Sequence, residues 1–310
     1  VAAETLLALD KETRARTSIY ASGRAVRSAV NAAVQQGLLA NREIGPGKMK
    51  LEVLDRVNAT REELRHFPAY RAGRVIEVSR KQQALGLSVG EYSVIGQEGK
   101  GRRVEVEDKR GKRFRFDPAR IKAGKGDDNL ALLEPRKLEI HEGDRIRWTR
   151  NDHRRGLFNA DQARVVAIAG SKVTLKTSKG DQVEFEQGDP MLKRIDLAYA
   201  LNAHMAQGLT SDRGIAVMDS RERNLSNQKT FLVTVTRLRD HLTLVVDSSD
   251  KLGAAVARNK GEKSSALEVT ERLKSTNEKG NEVIQRKPEE ANKAEKELTR
   301  SKSKTLDFGI

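Results

Sequence analysis

Cysteine is absent from the 310-residue sequence, and aromatic residues make up only 4% of it. The chain therefore has no disulfide, no thiolate metal ligand and no cysteine nucleophile. No stretch approaches the ~18 apolar residues of a membrane helix, and no signal-peptide pattern opens the chain. We expect a cytoplasmic protein without membrane insertion. Its hydrophobic content of 37% predicts several small cores rather than one large core.

The sequence has fewer acidic than basic residues. Lysine and arginine number 59 against 44 aspartates and glutamates, which gives a formal net charge of +15. Such an excess makes a polyanion the expected partner. The sequence opens at Val1, already inside an apolar helical pattern and without an initiator methionine, so we expect a fragment of a longer protein.

A complete phosphate-binding loop is also missing. Gly45-Pro-Gly-Lys48 has neither the GxxxxGK[ST] spacing nor the hydroxyl that holds magnesium. The five histidines lack HxH or HExxH spacing, so we expect no metal site. This chain alone has no cradle for the β- and γ-phosphates of a nucleotide, and an ATPase would need another segment.

Both ends of the chain show α/β patterns. Thr17–Ala21 is predicted to be a strand, followed by a helix over 24–37 that Gly37 caps. Near the other end we predict a strand over 215–218, a helix or helix-to-turn over 227–239 and a strand over 242–246. Residues 197–205 have the pattern of a buried core helix, which is the alternative to a functional motif there. The expected fold class is α/β.

An internal repeat lies between these ends. Residues 73–78 align with 143–148 at an offset of 70, and residues 104–106 align with 173–175 at an offset of 69. Alternating strands joined at Gly-containing turns predict two small β-barrels. We expect a split α/β domain (1–66 and 191–248), inserted barrels (67–135 and 136–190) and a charged, largely disordered tail (249–310).

Two short runs carry a family resemblance. They resemble motifs five and six of superfamily-one helicases, in particular the conjugative relaxase–helicases of the TraI/TrwC group. The first run contributes Tyr199, Ala200, His204, Gln207, Gly208 and Thr210, and the second contributes Thr236, Arg237 and Arg239. The strand, turn and helix around Arg24 resemble motif four. Asn202 and Met205 depart from the family, which usually has threonine and often lysine there.

The resemblance implies the second RecA-like half of a P-loop motor. The parent protein would nick a plasmid strand and unwind DNA 5′ to 3′ with ATP and Mg²⁺. Its partners would be single-stranded DNA, the missing helicase half and relaxase domain, and type IV secretion machinery. Arg237 would be the catalytic arginine finger. The expected nucleotide-binding residues are Gln207, Gly208, Arg24 and Arg237. The expected DNA-binding residues of the first run are Asn202, His204 and Thr210.

The barrels themselves are rich in arginine. We expect their arginines to contact DNA phosphates, with interleaved aromatic residues as stacking platforms or as barrel core. The DNA-binding candidates are Arg102, Arg103, Arg113, Arg147, Arg150 and Arg154. Two alternatives stay open: Arg237 pairs with Asp240 on the surface, or the whole chain is a non-catalytic nucleic-acid-binding or recruitment module with relic helicase motifs.

Overall fold

A computed structural model of the chain describes residues 1–57, 59–98, 102–122, 129–202, 211–220 and 227–259. The helices in these ranges are α1 (Ala2–Leu7), α2 (Lys11–Ala15), α3 (Arg24–Ala40), α4 (Arg61–Leu64), α5 (Gln228–Val235) and α6 (Ser249–Arg258). The strands are β1 (Thr17–Ala21), β2 (Lys48–Arg56), β3 (Val75–Val78), β4 (Gly90–Glu98), β5 (Arg103–Asp108), β6 (Arg113–Phe116), β7 (Leu130–His141), β8 (Arg145–Trp148), β9 (Gln162–Ala169), β10 (Lys172–Thr177), β11 (Gln182–Glu186), β12 (Ile195–Leu197), β13 (Ala200–Leu201), β14 (Ser211–Met218) and β15 (Leu238–Val246).

Four strands form a parallel sheet in the order β13-β1-β14-β15. Ile19 of β1 lies opposite Ala200 on one side and Ile215 on the other. These residues are almost completely buried, as is typical of parallel strands covered on both faces. The sheet takes one strand from before the repeat and three from after it. The predicted α/β class is confirmed, and the two ends of the chain build one sheet.

Helix α3 packs beside this sheet and runs further than predicted. Gly37 does not cap it; the helix continues to Ala40 and Asn41 is its C-cap. Glycine is needed at position 37 for space, because a Cβ there would lie 2.1 Å from Cδ1 of Leu7 in α1. The buried face holds residues at spacings of three and four, namely Arg27, Val30, Asn31, Val34 and Leu38.

The alternative of a core helix over 197–205 does not hold in its described part. Residues 195–197 form β12 and residues 200–201 form β13. The side-chain amide of Asn31 fixes this segment, since it donates to the Leu197 carbonyl at 3.1 Å and accepts from the Ala200 N–H at 2.7 Å. Tertiary hydrogen bonding by a buried amide thus overrides the local helical pattern.

The internal repeat is present in three dimensions. Strands of the first copy pair in the order β7-β3-β4-β5-β6, and those of the second in the order β12-β8-β9-β10-β11. Gly86 and Gly156 occupy the same left-handed turn, with φ of 69° and 67°. Each turn is closed by an isolated antiparallel bridge, Gln82 with Leu87 and Asp152 with Leu157. Left-handed backbone favours glycine, which explains why both copies carry it.

A long antiparallel pair frames the first copy. Strand β2 pairs with β7 from Lys48 opposite His141 to Arg56 opposite Leu133. Sequence reasoning gave residues 48–56 to the first α/β segment, yet Met49, Leu51 and Val53 enter the core of the second copy. The chain therefore enters the first copy along β2 and leaves it along β7, which leads directly into β8 of the second copy.

Closure of the two copies into barrels remains a prediction. Among the described strands, the larger sheet ends at β2 and β6 and the smaller one at β11 and β12. Each copy nevertheless surrounds its own core. Tyr70 meets Phe116 edge-on at 5.5 Å between ring centroids in the first, and Trp148 meets Phe185 at 5.4 Å in the second.

The start of the predicted disordered tail is helical instead. Residues Ser249–Arg258 form α6, whose Leu252 is only 4% exposed. Helix α6 packs against α5, and tertiary packing of this kind stabilises a short helix. Residues 260–310, which make up the rest of the predicted tail, lie outside the described residues. No helix in the described part of the chain is long and apolar enough to cross a membrane.

Candidate nucleic-acid and nucleotide interface

Arg237 lies at the junction of α5 and β15. The helix begins at the Asn227 cap, whose side chain accepts from the Thr230 N–H at 2.8 Å, and it ends at Thr236. Arg237 is half-buried, and its Nε has no hydrogen-bond partner. The alternative ion pair with Asp240 is not formed in the described structure. The neighbouring Arg239, by contrast, is exposed and lies 3.8 Å from Asp212.

Arg24 and Arg237 are at opposite ends of the parallel sheet. Arg237 precedes the first residue of β15, while Arg24 follows the end of β1, whose Ala21 is level with Val245. From Leu238 to Val245 is seven steps (245 − 238), or about 23 Å at ~3.3 Å per residue. The two predicted nucleotide-binding arginines are therefore not brought to one phosphate.

The motif-five resemblance is only partly within the described structure. His204, Gln207, Gly208 and Thr210 lie outside the described residues. Tyr199 is described, and its hydroxyl donates to Oδ1 of Asp144 at 2.6 Å. Burial, together with the Asp144 charge, raises the pKa of Tyr199 well above its ordinary value. Tyr199 thus joins the parallel sheet to β8 and is a structural residue.

A cleft of 460 Å³ opens where the parallel strands β1 and β13 end. The carboxyl ends of such strands are the usual place for ligands in open α/β sheets. Four of the predicted site residues meet here although they are far apart in sequence. They are Arg24, Arg147, Arg150 and Asn202. Arg27 and Arg194 also line the cleft, and sequence reasoning had not selected them.

Arg147 is not the DNA-facing residue that was predicted. Its side chain is 4% exposed, and Nη2 donates to Oδ2 of Asp196 at 3.0 Å. Arg150 is half-exposed and pairs with Glu77 at 2.5 Å. Arg194 is buried and pairs with Glu91 at 2.6 Å. Burial would raise the pKa of Glu91, but Lys109 and Arg194 bring it below its ordinary value. The ion pairs of these three arginines stabilise the wall of the cleft.

A second groove, of 580 Å³, continues from the cleft across the first repeat copy. Arg56 and Ala131 line both spaces. Its described lining contains six cationic side chains and no carboxylate. The cations are Arg56, Arg61, Arg80, Lys81, Arg120 and Lys122. Sequence reasoning missed them because they are dispersed along the chain and only the fold collects them.

The remaining predicted arginines are exposed but scattered. Arg102 and Arg103 are on the surface at the start of β5, and Arg154 is in a loop of the second copy. Arg113 is also exposed and lies 3.2 Å from Glu107. Arg103 lines a shallow pocket beside Arg120, which connects it to the groove. These positions suit phosphate contact, yet they do not form one site with the cleft.

The predicted stacking platforms are largely absent. Tyr70, Tyr92 and Trp148 are 0%, 4% and 0% exposed and fill the two cores, so the core interpretation is correct for them. Phe158 is different, with 39% exposure, His153 at 5.7 Å and the Lys179 ammonium 5.8 Å from its centroid. No cluster of metal-ligating side chains forms in the described ranges.

Known proteins match this chain at two scales, one family over its middle part and two relatives over most of its length. Residues 53–140 match the family described as the DNA relaxase TraI 2B/2B-like domain. Two multifunctional conjugation proteins TraI, from Escherichia coli and from its strain K12, are 25% and 26% identical over 263 and 265 residues. The predicted resemblance to conjugative relaxase–helicases is confirmed. Each alignment covers 84% of this chain, which spans only 14% of the relative's length.

The region that matches the TraI 2B/2B-like family coincides with the segment framed by β2 and β7. The match begins at Val53, opposite Arg136, and ends at Ile140, opposite Met49. Solved Pif1 helicases are also similar in structure. Pif1 from Bacteroides in complex with ADP-AlF3 and ssDNA matches 88% of this chain and 49% of its own at 14% identity and TM-score 0.38. Pif1 from Candida albicans matches 84% and 50% at 11% identity and TM-score 0.35.

Proposed function

We propose that this chain is the second RecA-like half of the helicase region of a conjugative relaxase, with the TraI 2B-like domain as its DNA-holding part. In the intact protein it binds single-stranded DNA and presents Arg237 to ATP and Mg²⁺ held on the other helicase half. ATP turnover then drives 5′ to 3′ unwinding during DNA transfer. The relaxase domain and the type IV secretion machinery are further partners that the family resemblance implies.

The state of the Arg237 guanidinium carries this proposal. Among the described residues Arg237 has no ion pair and its Nε has no hydrogen-bond partner, and a half-buried cation in that state costs free energy unless an anion binds it. Arginine is always charged and binds phosphate through a planar fork. It lies between the end of α5 and the first residue of β15, a strand of the parallel sheet. These properties suit a residue that stabilises charge on a transferring phosphoryl group.

The basic cleft and groove support the DNA-binding part. Together they are lined by arginines and lysines over two elements of the fold, the end of the parallel sheet and the first repeat copy. Three of the four interleaved aromatics are buried, so stacking contributes little. Binding should therefore depend on the phosphate backbone and show little base preference.

The test is DNA-stimulated ATP hydrolysis by the intact protein with Arg237→Ala. Arginine fingers contribute about 10³–10⁵ in rate, so turnover should fall by that order while single-strand affinity changes little. Arg237→Lys should recover little activity. The matched control is Arg239→Ala, because Arg239 is exposed and its ion pair within the described ranges is the 3.8 Å contact with Asp212.

The purified chain by itself should hydrolyse no ATP, since its sequence lacks a phosphate loop. Near-normal turnover of Arg237→Ala in the intact protein would refute the arginine-finger role. Intact DNA binding beside that result would favour the recruitment module instead.

A further inference from the structure

Arg27, on the buried face of α3, is a buried cation with few partners among the described residues. It is 6% exposed and its guanidinium makes no hydrogen bond; Nε is completely enclosed without a partner. The nearest carboxylate oxygen, Oδ2 of Asp196, is 4.0 Å away. A buried charge without hydrogen bonds is costly, so its presence calls for a counter-ion.

Asp196 supplies only part of that counter-charge, because it is shared among three arginines and its 4.0 Å contact with Arg27 is too long for a hydrogen bond. Oδ1 accepts from Arg136 and Oδ2 accepts from Arg147, each at 3.0 Å. Arg136 also pairs with Asp55 at 2.9 Å. Three arginines thus share two carboxylates, which leaves one positive charge in excess. Burial lowers the pKa of Arg27 and the charge of Arg147 lowers it further, as expected for crowded cations.

The excess charge lines the 460 Å³ cleft. Arg27 and Arg147 both line it, and so does Arg24 in the first turn of α3. This 17-residue helix begins after Gly23 with no side-chain cap and no acidic residue in its first turn. Its first N–H groups and its dipole favour an anion. The cleft is about fifteen times the ~30 Å³ that one water takes in the liquid, which leaves room for a phosphate group and what it is attached to.

We propose that the cleft between Arg27, Arg147 and the amino end of α3 is a binding site for a phosphate oxyanion. The phosphate either belongs to a nucleic-acid backbone or is a free or nucleotide phosphate. Continuity with the basic groove through Arg56 favours the backbone, and only this choice of source rests on the proposed function.

Thermal unfolding of residues 1–310 in sodium phosphate, against sodium chloride of equal ionic strength and pH, tests the site. The wild type should melt a few degrees higher in phosphate, since a ligand that binds the folded state stabilises it. Arg27→Gln should abolish this difference without lowering the Tm in chloride. Arg16→Gln is the matched control, because Arg16 is 66% exposed and pairs only with Glu12 at 3.2 Å. Arg24→Gln, at an accessible position, should reduce the difference even if Arg27→Gln folds poorly.

Single-stranded oligonucleotide and ATP titrations of the same variants identify the source. A backbone phosphate predicts that Arg27→Gln weakens oligonucleotide binding about tenfold or more and lowers the log–log salt slope by about 0.7, and that inorganic phosphate competes with the strand. A nucleotide phosphate predicts the same loss for ATP with strand binding unchanged.

The phosphate site is wrong if phosphate raises the Tm of the wild type no more than chloride does, or if Arg27→Gln keeps the full rise. Strand binding that survives this result would leave the proposed function standing. If phosphate raises the Tm but the chain binds no single-stranded DNA, the phosphate site stands and the proposed function is wrong.

Discussion

Replacement of Asp196 by alanine should destabilise the chain more than loss of any surface carboxylate. Asp196 is 5% exposed in β12 and forms ion pairs with Arg136 of β7 and Arg147 of β8. Arg27 of α3 lies 4.0 Å from it. After its removal Arg136 still has Asp55, but Arg147 is left buried and unpaired. Removing one partner of a buried pair costs about 3–5 kcal/mol.

This free energy converts to a measurable melting shift. The compact unit spans Val1–Arg258, and unfolding entropy is about 2.1 cal/mol/K per residue, or about 0.54 kcal/mol/K for the unit. A loss of 3–5 kcal/mol therefore lowers the Tm by about 5–10 °C. Circular dichroism on heating in phosphate-free buffer measures it. Phosphate should rescue Asp196→Ala more than it stabilises the wild type, because the variant carries more uncompensated positive charge.

Asp212→Ala is the control for this experiment. Asp212 is 43% exposed and lies 3.8 Å from Arg239, so its ion pair is screened by water. Exposed pairs contribute about 0–1 kcal/mol. If Asp196→Ala costs no more than Asp212→Ala, the junction is hydrated and the argument from buried charge fails for this protein.

Three further outcomes are expected. Single-strand affinity should fall steeply with salt, with a log–log slope of about −0.7 per phosphate contacted; a flat titration would exclude the basic groove. Gly37→Ala should destabilise by about 1 kcal/mol, because the displacement of Leu7 outweighs the gain in helix propensity; in a Leu7→Ala background the same change should stabilise instead. Burial raises the pKa of Asp144 above 3.8, although hydrogen bonds from Tyr199 and Gln35 oppose the shift. Protonated Asp144 therefore stabilises the folded state below pH 3.8. This stabilisation is lost as the pH rises through the pKa of Asp144 in the folded protein. The stability advantage of wild type over Asp144→Ala, which lacks this titration, should accordingly shrink as pH rises from about 4 to about 7 in denaturant unfolding.

The repeat was predictable because its signals are local. Alternation along Val104-Glu-Val106 and Val173-Thr-Leu175 states which residues face the core, and glycine at 86 and 156 marks a left-handed turn. The strand Thr17–Ala21 was likewise predictable from an apolar run before a helical one. The end of α3 was not, because Gly37 is required by Leu7 of another helix and not by a turn.

Arg27 had a signal in the sequence that went unused. It stands at the spacing of the buried stripe formed with Val30 and Val34, where a cation is out of place. A stripe drawn from apolar residues alone includes Ala29 and Ala33, yet both are exposed. A polar residue inside an apolar helical stripe therefore indicates a buried polar group, which a run of basic residues on a strand does not.

By itself the sequence determined the α/β class, the two related β-rich copies and the resemblance to conjugative relaxase–helicases, since each depends on local spacing or on short motifs. Only the tertiary structure decided which arginines face solvent. Arg145 and Arg147 alternate with Ile146 and Trp148, which predicts that both arginines lie outside. Arg147 is buried nevertheless, because β12 brings Asp196 beside it from a distant part of the chain. The same holds for Arg24 and Arg237, whose separation is set by the direction of the strands to which they are attached.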